Sequence, residues 1–109
     1  EVLIEINLAG DPGRTGASEA DAQKLVVAAQ ACPHVRLRGL MGMASVPEGP
    51  AASGQARRQF AQLRILREHL QAEAAAETLT ELSMGMSGDY VEAILEGATM
   101  VRIGSALFE

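Results

Sequence analysis

The sequence predicts an α/β fold, a parallel β-α-β-α-β-α-β run that reads either as a small open sheet or as half of a (β/α)8 TIM-type barrel. Three observations carry this expectation. Short apolar strand patterns alternate with helical ones. Gly- and Pro-rich stretches punctuate them, notably "AGDPGRTG" and "ASVPEGPAAS". The chain opens directly in a strand pattern, "VLIEIN", and stops at "ALFE" just after another. Ends of that kind look cut from a larger fold and favour the half barrel, which leaves two strand edges unpaired and open to self-association. Strands that alternate with helices are joined by right-handed crossovers, so the sheet is parallel.

The first strand is expected over 2–8, rich in Leu and Ile. After the Gly/Pro loop, Ser18 is a suitable N-cap, with Glu19 and Asp21 in the first helical turn, where the dipole favours anions. Leu25, Val26, Ala28 and Ala29 supply a buried face, and Pro33 ends the helix. The second strand spans 35–43, with Gly39 and Gly42 marking close approach of a backbone or ligand. A long helix follows over about 55–77, with Phe60, Leu63, Leu66 and Leu70 as its apolar stripe. The third strand covers 80–84. Ser87 is placed to cap the helix "GDYVEAILE", Gly97 to close it, and the fourth strand covers 99–103.

Composition narrows the function. The 109 residues are 48% hydrophobic and 21% charged, which suits one globular domain. A formal net charge of −5 argues against nucleic acid as a partner. Arg57, Arg58, Arg64 and Arg67 read as a solvated helix face. The lone Cys32 forms no internal disulfide, reads as a small core residue and fits a reducing compartment, so a cytoplasmic location is expected. No apolar run approaches the ~20 residues of a membrane span. His34 and His69 have no partners at metal spacing.

Ligands of parallel α/β folds sit at the carboxyl ends of the strands. These ends carry Asn7, then 41–43, then "SMGMSG", then "GSA". Glycine lets an anion approach the backbone, serine adds a hydroxyl, and a helix N-terminus adds unpaired N–H groups. "GMSGD" and "RIGSA", on consecutive strand ends, are placed to form two halves of a phosphate site. The plainer readings are an N-cap for Ser87 and a turn for Gly104 and Ser105. The methionines at strand ends are core packing by default, or walls for an aromatic ligand. Arg102 interrupts the apolar run "TMVRIG". It is either half of a structural ion pair or a donor to a ligand atom near the phosphate, where a permanent cation keeps an acceptor nitrogen unprotonated.

"RLRGLM", "LSMGMSGD" and "GATMVRIGSALF", with their spacing, resemble the pyridoxal 5′-phosphate homeostasis proteins, the YggS/PROSC family, over essentially the whole chain. The resemblance implies a fold-type III barrel like the N-terminal domain of alanine racemase, of which residues 1–109 are the C-terminal half, the last four strands and intervening helices, with the N-terminal half absent. It implies pyridoxal phosphate held as a Schiff base on a lysine of that missing half, and a monomeric cofactor carrier without established turnover. Carried over, Ser87, Gly104 and Ser105 hold the phosphate and Arg102 faces the pyridine nitrogen, while Asn7, Met41, Ser83, Met84 and Gly85 lie near the ring or phosphate. Two rival functions stand beside it, a racemase-like enzyme of the same fold type and a barrel for another phosphorylated ligand. Arg14 stands where many members carry Lys, and Glu109 where the final motif is usually followed by Gly. The single lysine, Lys24, lies within the first helix pattern, so no covalent anchor is expected in this chain.

Overall fold

A computed structural model describes residues 2–8, 16–44, 52–74, 76, 78–86 and 88–102. Strand β1 (Val2–Ile6), helix α1 (Glu19–Gln30), strand β2 (Leu37–Gly42), helix α2 (Ala52–Glu73), strand β3 (Glu81–Met84) and helix α3 (Tyr90–Leu95) alternate along the chain. The sheet is parallel, in the order β1-β2-β3. Residues from all three helices join one face of the sheet in a single core: Ala22 and Val26 from α1, Phe60, Leu63 and Leu70 from α2, Ala93 from α3, against Ile6, Leu40, Leu82 and Met84. Consecutive strand order with the helices on one face is barrel-wall topology, and it decides against a doubly wound open sheet.

The α2 stripe is buried as expected, with Phe60, Leu63, Leu66 and Leu70 all in the core. The helix ends at Glu73 rather than near 77. Leu79 must be buried under the sheet, and its N–H turns back onto the Ala76 carbonyl at 3.1 Å, so tertiary burial overrides the helix preference of the Ala/Glu run. Helix α1 has its Ser18 cap, whose hydroxyl accepts from the Asp21 N–H at 3.2 Å. Its buried face differs from the expected one: Ala22 and Val26 are buried, whereas Leu25 is exposed. The small side chains one turn apart seat the helix on the sheet, and Leu25 and Val27 fall outside that stripe. Cys32 is exposed rather than in the core, and its Sγ donates to the Ala28 carbonyl.

Strand β2 begins at Leu37, because Val35 is spent in a turn, its N–H on the Cys32 carbonyl. A Cβ on Gly39 would lie 1.9 Å from the Glu81 carbonyl oxygen, so the close approach inferred there is between neighbouring backbones. Among the described residues the fourth strand is a single parallel bridge, Met100 beside Ser83, continued by the Arg102 N–H on the Gly85 carbonyl at 2.8 Å. Ile103 lies outside the described residues.

The N-cap position of α3 is Asp89, without a side-chain cap bond, and the helix starts at Tyr90; Ser87, the expected cap, lies outside the described residues. The Asp89 carboxylate accepts the Met86 N–H at 2.7 Å, closing a local turn that delays the helix. At the other end the expected Gly97 stop is present. Gly97 has φ +99°, its N–H donates to Ile94 and the Ala98 N–H to Ala93, the two bonds of a Schellman turn.

Candidate functional site

Backbone alternation sorts the strand side chains onto two faces. Ile6, Leu40, Leu82 and Met84 enter the core under the helices. Glu5, Met41, Ser83 and Met100 are successive cross-strand partners and form one row on the opposite face. Ser83 is buried, Met41 half-buried, and Met100 exposed. Arg102, two residues beyond Met100, shares this face. Its guanidinium reaches across β3 to donate from Nη2 to the Met41 sulfur.

That contact resolves the apparent misplacement of a cation in a strand. Arg102 is exposed, so it has not been taken out of water. A thioether is a weak, neutral acceptor, and it orients the guanidinium without neutralising it. Among the described residues no carboxylate lies within ion-pair distance of Arg102.

The other expected residues divide. Asn7 follows β1 at the same rim, its N–H fixed by the Ala17 carbonyl at 2.8 Å. Gly85 turns the chain out of β3 with φ +103°, a conformation that side chains disfavour. The side chain of Met84 points into the helix-side core, so only its backbone borders the rim. Ser87, Gly104 and Ser105, the expected phosphate donors, lie outside the described residues. Lys24 is exposed on α1, away from the strand ends. Both histidines are exposed, and no cluster of metal-ligating side chains occurs among the described residues. Glu5 was not anticipated; its signal was the period-2 spacing to Asn7.

The helix-borne arginines are also corrected. Arg57 and Arg64 are not merely solvated. Arg57 contacts one oxygen of the buried Glu96 carboxylate through Nη2 at 2.6 Å and Nε at 2.8 Å, and Arg64 Nη1 contacts the other at 3.1 Å. Arg67 donates to the Thr80 carbonyl at 3.2 Å. The long sequence separation between α2 and Glu96 hid this cluster. A hollow of about 540 Å3 bordered by Arg36, Arg38, Thr78 and Thr80 lies at the amino ends of the strands, the opposite rim from Arg102.

On this one sheet face a planar cation sits beside two thioethers and a buried hydroxyl, with the Glu5 carboxylate in the same row on β1.

The family described as the N-terminal domain of alanine racemase matches residues 1–109. The chain belongs to this family. Within the alanine racemase N-terminal domain family it is similar to the pyridoxal phosphate homeostasis proteins of Pseudomonas aeruginosa, at 41% identity over 107 residues, 98% of this chain and 43% of the relative. The pyridoxal phosphate homeostasis protein of Vibrio alginolyticus is 39% identical over 108 residues, 99% of this chain and 44% of the relative. Solved structures of PipY from Synechococcus elongatus match at 36% identity, covering 98% of this chain and 48% of theirs. The TM-score is 0.86 for the structure without PLP and 0.83 for the one with PLP bound. The chain thus has the α/β fold of part of an alanine-racemase-type barrel, and it spans under half the length of the curated relatives it matches.

Proposed function

We propose that this chain is the C-terminal half of a pyridoxal 5′-phosphate-binding barrel, and that the protein to which it belongs carries the cofactor without catalytic turnover. The observation that carries the reading is the Arg102 guanidinium, held over Met41 on the helix-free face at the strand ends, with no carboxylate beside it among the described residues. The names of the relatives and the PLP-bound PipY structure support the same ligand. A solvated location in the cytoplasm fits the lone thiol, and no helix among the described residues is long and apolar enough to cross a membrane.

When bound, pyridoxal phosphate supplies an electron sink that works best with its ring nitrogen protonated. Arg102 opposes that state, because a guanidinium donates hydrogen bonds and never accepts a proton at physiological pH. Met41 orients the guanidinium. Ser83 offers a hydroxyl from β3, and the Gly85 turn brings backbone to the rim without a side chain in the way. Ser87, Gly104 and Ser105 hold the phosphate in this reading. The covalent lysine is supplied by residues outside this chain.

The rival within the same fold type is an amino-acid racemase. Such a reaction needs a second acid/base; β3 itself ends without a Tyr, Lys or His, and Tyr90 opens α3 with its backbone beside Gly85. Absorbance titration of the natural protein with pyridoxal phosphate, alongside an assay for racemisation of free amino acids, tests both. Saturable cofactor binding without racemisation is expected. Measurable racemisation overturns the carrier, and a failure to bind pyridoxal phosphate while another phosphorylated ligand binds overturns the cofactor assignment.

A further inference from the structure

We infer that Glu96 is a positioning residue for the rim formed by Gly85 and Arg102, acting through α3 and the turn that follows it. This deepens the pyridoxal phosphate reading and rests on it for the ligand measurement alone.

Helix α3 has little to hold it by hydrophobic burial. It is six residues long, too short to persist alone. Ala93 is its buried apolar residue, while Val91, Ile94 and Leu95 are all more than half exposed. What fastens its C-terminus is polar. Glu96, the C-cap, is buried, and both its carboxylate oxygens are taken by guanidiniums one α2 face presents, Arg57 on Oε2 and Arg64 on Oε1. Charge-assisted bonds to planar guanidiniums fix direction as well as distance, which a contact between small apolar groups does not.

Two routes lead from this clamp to the rim. The first is through packing. The Cβ of Ala93 lies 2.7 Å from where a Gly85 Cβ would be, so the position of α3 sets the position of the Gly85 backbone. The second is through the chain. After the Gly97 turn, Thr99 brackets Leu82, taking its N–H on Oγ1 at 2.8 Å and giving its own N–H to the Leu82 carbonyl at 2.9 Å. Met100 then accepts from the Met84 N–H at 3.0 Å, and Arg102 donates to Gly85 at 2.8 Å. Five residues separate Glu96 from Arg102, and these backbone bonds to β3 and Gly85 register the path between them.

Amide hydrogen exchange on the natural protein, without added ligand, tests the inference directly. In Glu96→Gln the Met84, Met100 and Arg102 amides are expected to exchange about tenfold faster, while the Asn7 amide, bonded to Ala17 beside β1, is unchanged. Arg64→Gln, which leaves the Arg57 pair intact, is expected to accelerate the same three amides by about threefold, and it stands as the test if Glu96→Gln does not fold. Leu63→Ala, a core change, serves as the comparison, because simple destabilisation accelerates Asn7 together with the rest. In the ligand measurement, Glu96→Gln weakens pyridoxal phosphate binding about tenfold. Unchanged exchange at the three amides, or acceleration that includes Asn7 equally, overturns the positioning role. If the unaltered protein binds no pyridoxal phosphate, the proposed function falls and the exchange pattern still decides the role of Glu96.

Discussion

Ala93 occupies the space that a side chain at Gly85 would need. The two meet where β3 gives way to the rim of the sheet, with Gly85 at φ +103° and the Ala93 Cβ 2.7 Å from where a Gly85 Cβ would lie. A Gly85→Ala substitution therefore combines a disfavoured backbone with overpacking against α3. It should cost about 1–3 kcal/mol. Urea unfolding of the two proteins measures this, and an unchanged midpoint would show that α3 is free to move away.

Arg102 is exposed, so replacing it should alter binding and leave folding alone. Arg102→Leu is expected to weaken pyridoxal phosphate binding by about tenfold or more, and Arg102→Lys to recover only part of that, because the point charge lacks the planar fork. Thermal midpoints should stay within a degree or two of each other. Equal affinity of Arg102→Leu and the unaltered protein would remove Arg102 from the site.

Phe60 and Leu63 are fully buried at the centre of the helix–sheet core. Phe60→Ala should destabilise by about 3–5 kcal/mol, a large share of the stability of a small domain. Chemical denaturation followed by circular dichroism checks the figure. A loss well under 1 kcal/mol would mean that α2 does not pack as described.

The Ser18 hydroxyl satisfies the Asp21 N–H at the start of α1. Ser18→Ala should cost about 1 kcal/mol, and Ser18→Asp should restore most of it through the helix dipole. If Asp is no better than Ala in thermal melts, the cap contributes nothing measurable.

Lys24 sits exposed on α1, remote from the strand ends. Borohydride treatment of the 109-residue chain mixed with pyridoxal phosphate should therefore leave no stoichiometric attachment, as read by mass spectrometry. Full labelling of Lys24 would contradict the absence of a covalent anchor in this chain.

Much of the architecture was legible in the residues. The spacing of Phe60, Leu63, Leu66 and Leu70 marked the buried face of α2, and Ser18 and Gly97 marked helix ends, because periodicity and capping act between neighbours in sequence. Leu25 was misplaced because apolar residues surround that helix, and only contact with the sheet selects Ala22 and Val26. Helix α3 starts later than expected because the Asp89 carboxylate closes a turn with the Met86 N–H. For the site, Arg102 stood out as a cation in an apolar strand, whereas its Met41 partner lies 61 positions away and leaves no local trace.

By itself, then, the sequence determined the alternation of strands and helices and the parallel sheet, since each depends on short-range pattern and side-chain chemistry. Tertiary structure alone decided that the helices cover one face, that Arg102 leans on a neutral sulfur, and that Arg57 and Arg64 converge on Glu96. Those are relationships between groups brought together by packing, and no local periodicity encodes which distant partner a long charged side chain will find.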